Sequence, residues 1–505
     1  MKSPLFAQLT SVLVLGALCT AAYAQDPGKQ IKIVLATPVD TVDSCNMSRG
    51  YIGSVLKQNV VETLTQLDLK DSKVLPRLAL SWERRNPTTW RIKLRQGVKF
   101  HDGGNFDANA VTVALNRILD PALPCVDKFK FLPNIKLKSQ AIDSHTLDIT
   151  TEQPLALFPV YLAQLGISSP KTDSTKLTTK PVGTGPYVFA SWDPTSNVVL
   201  KRFDGYWGAK PEVQQATYVW RSESALRASM VEVGEADIGV QIAIQDATNP
   251  KTDFSYLNSD TTRIRMIMQA PLDDLRVRKA LNLSFNRAAL VGSVFSPKVI
   301  PASQQMLPSI SGHNPELKTW PFDQTEAKRL IKEAKAAGVP VDKEITLYGR
   351  NNMHANGEEG LQAMIQMWQE VGLNVKLKML ESSQWLKLVN KPYADNRPPM
   401  LIQEMHDNSF GDAAFTMMFY YTSEGNKSDL TDANVDKLLN EASVSTGNKR
   451  KGLFQEANKY IQQQIVPDVM MFHMISVIRV NPRLTYQPNL ATNAKIELSD
   501  IRFKK

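Results

Sequence analysis

Ile345-Thr346-Leu347-Tyr348, then Leu361, Met364, Ile365, Trp368 and Val371 ahead of Gly372, then Leu373, Val375, Leu377 and Met379 decide the fold class. The first block is a short apolar run bounded by polar residues, the pattern of a strand. The second repeats at three- and four-residue spacing, which puts its side chains on one face of a helix, and Gly372 closes it. The third alternates apolar with polar residues, the period of a second strand. Strand, helix and strand so close together make a βαβ unit, with parallel strands and a right-handed crossover. In such sheets a ligand binds beyond the carboxyl ends of the strands.

The pattern extends in both directions. Asp323 and Glu326 make a capping-box pair ahead of Leu330, Ile331 and Ala334, and Gly338 with Pro340 ends that helix. Trp90, Ile92 and Leu94 alternate with Arg91, Lys93 and Arg95, a half-buried strand. Asp107 is a good N-cap, Phe106 and Val111 stand where a hydrophobic staple would put them, and Pro121 stops the helix that follows. Ile31 to Ala36 is another short apolar strand. Strand and helix signals alternate throughout, so the chain is mixed α/β. No repeat or Gly/Ser/Pro-rich linker divides it, so its domains are interleaved or joined by short hinges.

Composition narrows the class further. The 505 residues are enough for about three domain-sized units. With 43% hydrophobic and 22% charged residues, the composition is that of a soluble globular protein, not a disordered or coiled-coil chain. The one long apolar run, Ser11 to Ala22, is short for a membrane span, follows Lys2, and precedes Ala22-Tyr23-Ala24. That is the pattern of a secretory signal peptide cleaved after Ala24. Leu18 is too bulky for Cys19 to sit in a lipobox. Cys45 and Cys125 then remain, and in an oxidising compartment they either pair or stay as two buried thiols. There are 59 Lys and Arg against 50 Asp and Glu, spread rather than clustered, which suits an anionic membrane or acidic partner better than nucleic acid.

Catalytic patterns are missing. No G-x-S-x-G elbow, H-E-x-x-H, Walker loop or G-x-G-x-x-G fingerprint occurs. His101, His145, His313, His354, His406 and His473 have no ligand spacing. Met417, Met418, Met470, Met471 and Met474 lie near aromatic residues and two histidines, which reads either as core filling or as a soft-metal site. Gly183-Thr184-Gly185-Pro186 reads as a tight turn before the strand Tyr187-Val188-Phe189.

Several stretches together carry a family resemblance. They are Val61-Glu62-Thr63-Leu64, Val74 to Ala79 with Ser81-Trp82-Glu83, Leu94 to Gly103, and Phe106 to Val111. Gly183 to Tyr187, Asp204 to Gly208, Gly234 to Ile238, and Leu275 to Leu281 with Asn286-Arg287 continue the series. In this order they resemble the extracytoplasmic solute-binding proteins of the peptide/nickel/opine class (family 5, like the dipeptide- and oligopeptide-binding proteins) that serve ABC transporters.

The resemblance implies a two-lobed periplasmic-binding-protein fold of type II. A subdomain is inserted in the first lobe, the ligand cleft lies between the lobes, and the hinge has two segments. The expected layout is a signal peptide over 1–24, lobe I over 25–262 with the inserted subdomain at roughly 50–180, lobe II over 263–476, and a return to lobe I over 477–505. The crossings are placed near Arg263 and Ser476. Closure about this hinge is the expected working motion.

The resemblance also suggests site residues. Asp407 falls at the aspartate that takes a peptide's amine in the peptide-binding branch, and Asp412 at a second aspartate nearby. Glu404 or a neighbour replaces the family tryptophan and His406 stands beside the anchor, which tilts the ligand away from an ordinary peptide. Arg350, at the end of a strand, suits a carboxylate or phosphate. Trp385, and Cys45 and Met47 in the segment Thr37 to Met47, are cleft candidates by position. The Leu94 to Gly103 motif is scaffold.

The implied function is a periplasmic receptor, not an enzyme, that delivers a small polar solute (a short peptide, an opine or a modified amino-acid conjugate) to the permease of an ABC importer. It is expected to act as a monomer without cofactor or nucleic acid. A nickel- or haem-type metallophore receptor, and a secreted hydrolase, are the competing readings.

Overall fold

The computed structural model describes residues 27–505 apart from 69, 71, 133, 134, 493 and 494, so the signal-peptide expectation lies outside the described residues. The βαβ reading holds. Strands Ile345–Arg350 and Val375–Leu380 are parallel and in register from Ile345↔Val375 to Arg350↔Leu380, and helix Gly357–Gln369 joins them. Leu361, Met364 and Trp368 are fully buried against this sheet, as the helical spacing requires. Helix Ala108–Leu119 starts where expected, with the Asp107 carboxylate accepting from the Ala110 N–H at 2.8 Å.

The main sheet runs through both lobes. Its order is Val375–Leu380, Ile345–Arg350, Met400–Asp407, Asp253–Met266, Asp468–Val480, Ile238–Gly239, Gln30–Leu35, Gln215–Trp220, Asn197–Arg202 and Tyr187–Asp193. The two long central strands carry the chain between lobes. Tyr256 and Ile478 pack in a core with Ile33, Leu35 and Tyr218, whereas Ile264, Met471 and Phe472 pack in a second core with Leu347, Leu361 and Trp368. Between them the antiparallel ladder slips, from Leu257↔Ile475 to Thr261↔His473. Three residues on one strand there face only one on the other.

A third core belongs to a separate four-stranded antiparallel sheet, Ala79–Asn86, Thr89–Leu94, Thr146–Thr151 and Leu137–Asp143, backed by helix Ala108–Leu119. Cys45 and Cys125 are joined by a disulfide inside this core.

Four of the stretches that carry the resemblance meet at one residue. Glu62 is fully buried and accepts hydrogen bonds from Arg77 Nε at 2.7 Å, Thr184 Oγ1 at 2.9 Å, Tyr206 O–H at 3.0 Å and Trp207 Nε1 at 2.8 Å. A buried carboxylate is tolerated only with such satisfaction. The neighbouring turn needs its glycines, since a Cβ at Gly183 would stand 2.1 Å from the Val60 carbonyl oxygen and one at Gly185 2.3 Å from that of Asn59. His101, from the most recognisable motif, is bonded to the Gly185 carbonyl at 2.9 Å. These motifs knit the first lobe to its inserted sheet and stand apart from the cleft.

Candidate functional site

The ends of the parallel strands in the second lobe deliver the site. Strand Met400–Asp407 ends in Asp407, which is half-buried and lies directly opposite Asp260 across the antiparallel ladder. The Asp407 carboxylate accepts from the Ser409 N–H at 2.8 Å and Ser409 O–H at 2.7 Å. Burial raises its pKa, but the Lys130 ammonium and hydrogen bonds from Ser409 and Ser259 outweigh that and hold the group below the usual aspartate range. It is therefore ionised at neutral pH.

Arg350 ends the neighbouring strand. Its backbone N–H donates to Gln403 Oε1 at 3.2 Å, and its guanidinium carbon lies 5.2 Å from the centre of the Trp385 ring. The ring is fixed by its own N–H, which donates to the Gln403 carbonyl at 3.0 Å. A second cation shares the ring, because Lys427 Nζ lies 4.9 Å from its centre and 5.8 Å from those of Phe419 and Tyr420. Lys427 is held by a tight loop. Its N–H donates to the Phe419 carbonyl at 3.1 Å, and Gly425 passes so close to the Met418 carbonyl that a Cβ would stand 2.5 Å from it.

Among the described residues no carboxylate lies within ion-pair distance of either cation. Burial lowers both pKa values. Lys427 falls to about 7, with attraction from Glu404 opposing the burial and Arg265, Lys130 and Arg350 adding to it. For Arg350, burial is opposed by Asp260. Two desolvated cations at one aromatic ring are an unfavourable pair that a bound anion would relieve.

The first lobe supplies the facing wall. Lys130 sits over the Phe415 ring at 5.9 Å, Phe131 stacks on Phe410 of the second lobe at 5.4 Å, and Tyr161 meets Phe410 edge-on at 5.0 Å. Lys57 donates to Gln164 Oε1 at 2.8 Å; burial, with Lys495 adding to it, lowers its pKa to about 8, opposed by Asp127 and Asp407. Nearer the hinge the cleft narrows to a cavity lined by Gln241, Asn258, Asp260, His354, Asn356 and Met405, among others. Burial drops the His354 pKa to about 4, so the ring is neutral. At the rim Gln245 and Asn356 join the lobes through a reciprocal amide pair, at 3.2 and 3.0 Å.

The structure brings Arg350 and Trp385 together, with Asp407 at the end of the neighbouring strand, and not the other candidates. Asp412 caps helix Ala413–Tyr421 through the Ala414 N–H and pairs with Arg450 at 2.6 Å, so its carboxylate is spoken for. His406 points from the other face of its strand, buried, 2.7 Å from Thr416 Oγ1 and edge-on to Tyr420. Alternation along a strand separates it from Asp407. Cys45 is in the disulfide and Met47 packs against Gly166, both buried. The position after the first strand brought them near, but the segment turns into the core. The methionines are divided between cores, Met417 in one and Met471 and Met474 in another. His473 is bonded to Thr261 Oγ1 at 2.8 Å. Among the described residues no group of three His, Cys, Asp or Glu side chains could hold a metal ion.

Lys427, Lys130, Lys57 and Asp260 were not found from the sequence. They lie on segments far apart in the chain and carry no local pattern. Only the closeness of Arg350 and His354 in one strand-end loop offered a signal.

Comparison with known proteins shows a family and a fold. The family described as "Bacterial extracellular solute-binding proteins, family 5 Middle" matches residues 73–427. The glutathione-binding protein GsiB of Escherichia coli K12 is 31% identical over 369 residues, 70% of each chain. Among solved structures, the dipeptide binding protein from Pseudoalteromonas sp. SM9913 in complex with Met-Leu superposes with a TM-score of 0.81 at 17% identity, over 94% of this chain and 100% of that one. The PBP AgaA in complex with agropinic acid from A.tumefacien R10 gives 0.80 at 21%, over 94% and 99%. Among the described residues no helix is long and apolar enough to cross a membrane.

Proposed function

This chain belongs to the family 5 bacterial extracellular solute-binding proteins, and from that premise we propose that its cargo is a small molecule with one ammonium group and two carboxylates. Members of the family bind solute outside the cytoplasm and hand it to the permease of an ABC importer. The observation that carries the reading is the pair of cations without a carboxylate partner, Arg350 and Lys427, at the Trp385 ring, with ionised Asp407 at the end of the next strand. Asp407 suits the ammonium, because two buried opposite charges then pair. Arg350 and Lys427 suit carboxylate oxygens. The similarity to a glutathione-binding protein and to the fold of an agropinic-acid receptor supports a peptide-like conjugate over a plain apolar dipeptide.

The hinge is placed at the ladder slip around Asn258 to Asp260 and Ile475 to Ser476, where Asn258 Nδ2 donates to Ser476 Oγ at 2.7 Å. On the first strand this is a few residues earlier than the crossing drawn at Arg263. Arg263 is already fixed in the second lobe by Glu404 at 2.5 Å and Asp468 at 2.8 Å. Lobe I then takes residues up to this slip and the chain after Ser476, and the leader is cleaved after Ala24. The protein works as a monomer, without nucleic acid and without catalysing a reaction.

Calorimetry on the mature protein tests the cargo. The panel is S-methylglutathione, an opine, Ala-Glu and Ala-Leu, each with its N-acetylated and amidated form. The expected order places ligands with an ammonium and two carboxylates first, and both blocked forms weaker. Equal binding of Ala-Leu and Ala-Glu, unaffected by blocking, would overturn the reading.

A further inference from the structure

A second cavity, of about 180 Å³, lies in the second lobe and shares no lining residue with the cavity of the cleft. Its volume is that of roughly six waters in the liquid. The polar groups that line it are Arg287, Lys318, Gln462, Gln463, Ser303 and Thr319, and no acidic residue is among them.

Arg287 is 6% exposed. Its Nε and Nη2 donate to the Met470 carbonyl at 2.9 and 2.6 Å, and Nη1 donates to the Trp320 carbonyl at 3.3 Å. A guanidinium has five N–H groups, so two are left without a partner among the described residues. The partners it has are carbonyls, which carry partial charge only, and its carbon sits 4.6 Å over the Phe285 ring. Among the described residues no carboxylate balances it, and burial lowers its pKa to about 10.

Gln462 stands beside it, 4% exposed, with its amide Nε2 buried and lacking any hydrogen-bond partner. The side chain is presented by a π-helical turn, Ile461–Ile465, that ends on Val466 with φ of 54°. Such turns concentrate at functional sites, and a β-branched residue in the left-handed region is a strained conformation that the surroundings must hold.

A buried cation without a counter-charge and a buried donor without an acceptor both cost stability, and both residues line one cavity. What would satisfy them is negative charge and acceptor oxygen together. We propose that this cavity binds a small oxyanion, a carboxylate or phosphate group, between Arg287 and Gln462, at a site separate from the transport cleft.

Thermal unfolding of the mature protein, titrated separately with inorganic phosphate and with glutarate against chloride at constant ionic strength, tests this. A saturable rise in Tm with phosphate alone, with glutarate alone or with both supports the site and says which oxyanion it takes. Gln462→Met replaces the side-chain amide, its unpartnered donor included, by an apolar stem, so its Tm without anion is expected to be no lower than wild type, while the midpoint of the anion response moves at least tenfold higher. Arg287→Lys should shift the midpoint in the same direction if it folds. Lys427→Met, which removes a carboxylate-binding cation of the cleft, should leave the response unchanged. No saturable response in the wild type, an unaltered response in Gln462→Met, or a response abolished by Lys427→Met would each overturn the proposal.

Discussion

Replacing Lys427 by Met removes one of the two cations at the Trp385 ring and keeps the length of the stem that packs there. A hydrogen bond to a charged group contributes about 1.5–3 kcal/mol, so the affinity for S-methylglutathione should fall roughly 10- to 150-fold. The wild type adds a signature in pH. Its Lys427 titrates near 7 in the unliganded protein, against 10.5 for an ordinary lysine. A carboxylate ligand binds the ammonium form, so above pH 7 it must restore the proton. Affinity should drop about tenfold between pH 6 and 8, and the variant should lose that slope.

Stability moves the other way. A lysine whose pKa is lower folded than unfolded leaves the unfolded chain holding more protons between pH 7 and 10.5, so unliganded wild type gains stability as pH rises through that window. At pH 6 the buried ammonium is a liability, and the variant should melt higher. Calorimetry at pH 6, 7 and 8 with parallel melts reads both effects. A flat wild-type Kd, or an unchanged slope in the variant, would refute the assignment of Lys427 to a carboxylate.

Asp407→Asn should weaken ligands with a free ammonium by roughly 2–4 kcal/mol and leave N-acetylated ones untouched, as calorimetry would show. The Cys45–Cys125 bridge closes a long loop, with the partners 80 positions apart, so Cys45→Ala with Cys125→Ala should cost about 4 kcal/mol in a urea melt, and intact mass should rise by about two daltons on reduction. Gln245→Ala removes the amide pair with Asn356 at the cleft rim; scattering should show a wider unliganded particle, and ligand affinity should fall about fivefold. Burial lowers the pKa of His354 and His473 to about 4 each, so the unfolded chain binds extra protons below pH 6.5. The urea midpoint should therefore decline from pH 6.5 to 4.5, and His473→Gln should reduce that decline.

The sequence by itself determined the local elements and the family. Spacing at three and four residues marked helix Gly357–Gln369, alternation marked strand Val375–Leu380, and Asp107 marked the start of helix Ala108–Leu119. These signals survive because each is set by neighbours a few residues away. Four of the resemblance stretches were legible for a similar reason, since Glu62 and its four donors demand particular residue types in order. Of the candidate site, the resemblance supplied Asp407 and a strand end supplied Arg350. Its remaining charges come from Lys57, Lys130, Asp260 and Lys427, which four distant segments bring to one crevice. Whether Asp412 faces a ligand or Arg450, and whether Cys45 lines a cleft or a core, also turns on contacts across long separations. Those are tertiary decisions, because a side chain's charge state and freedom depend on what the fold packs against it and not on its chain neighbours.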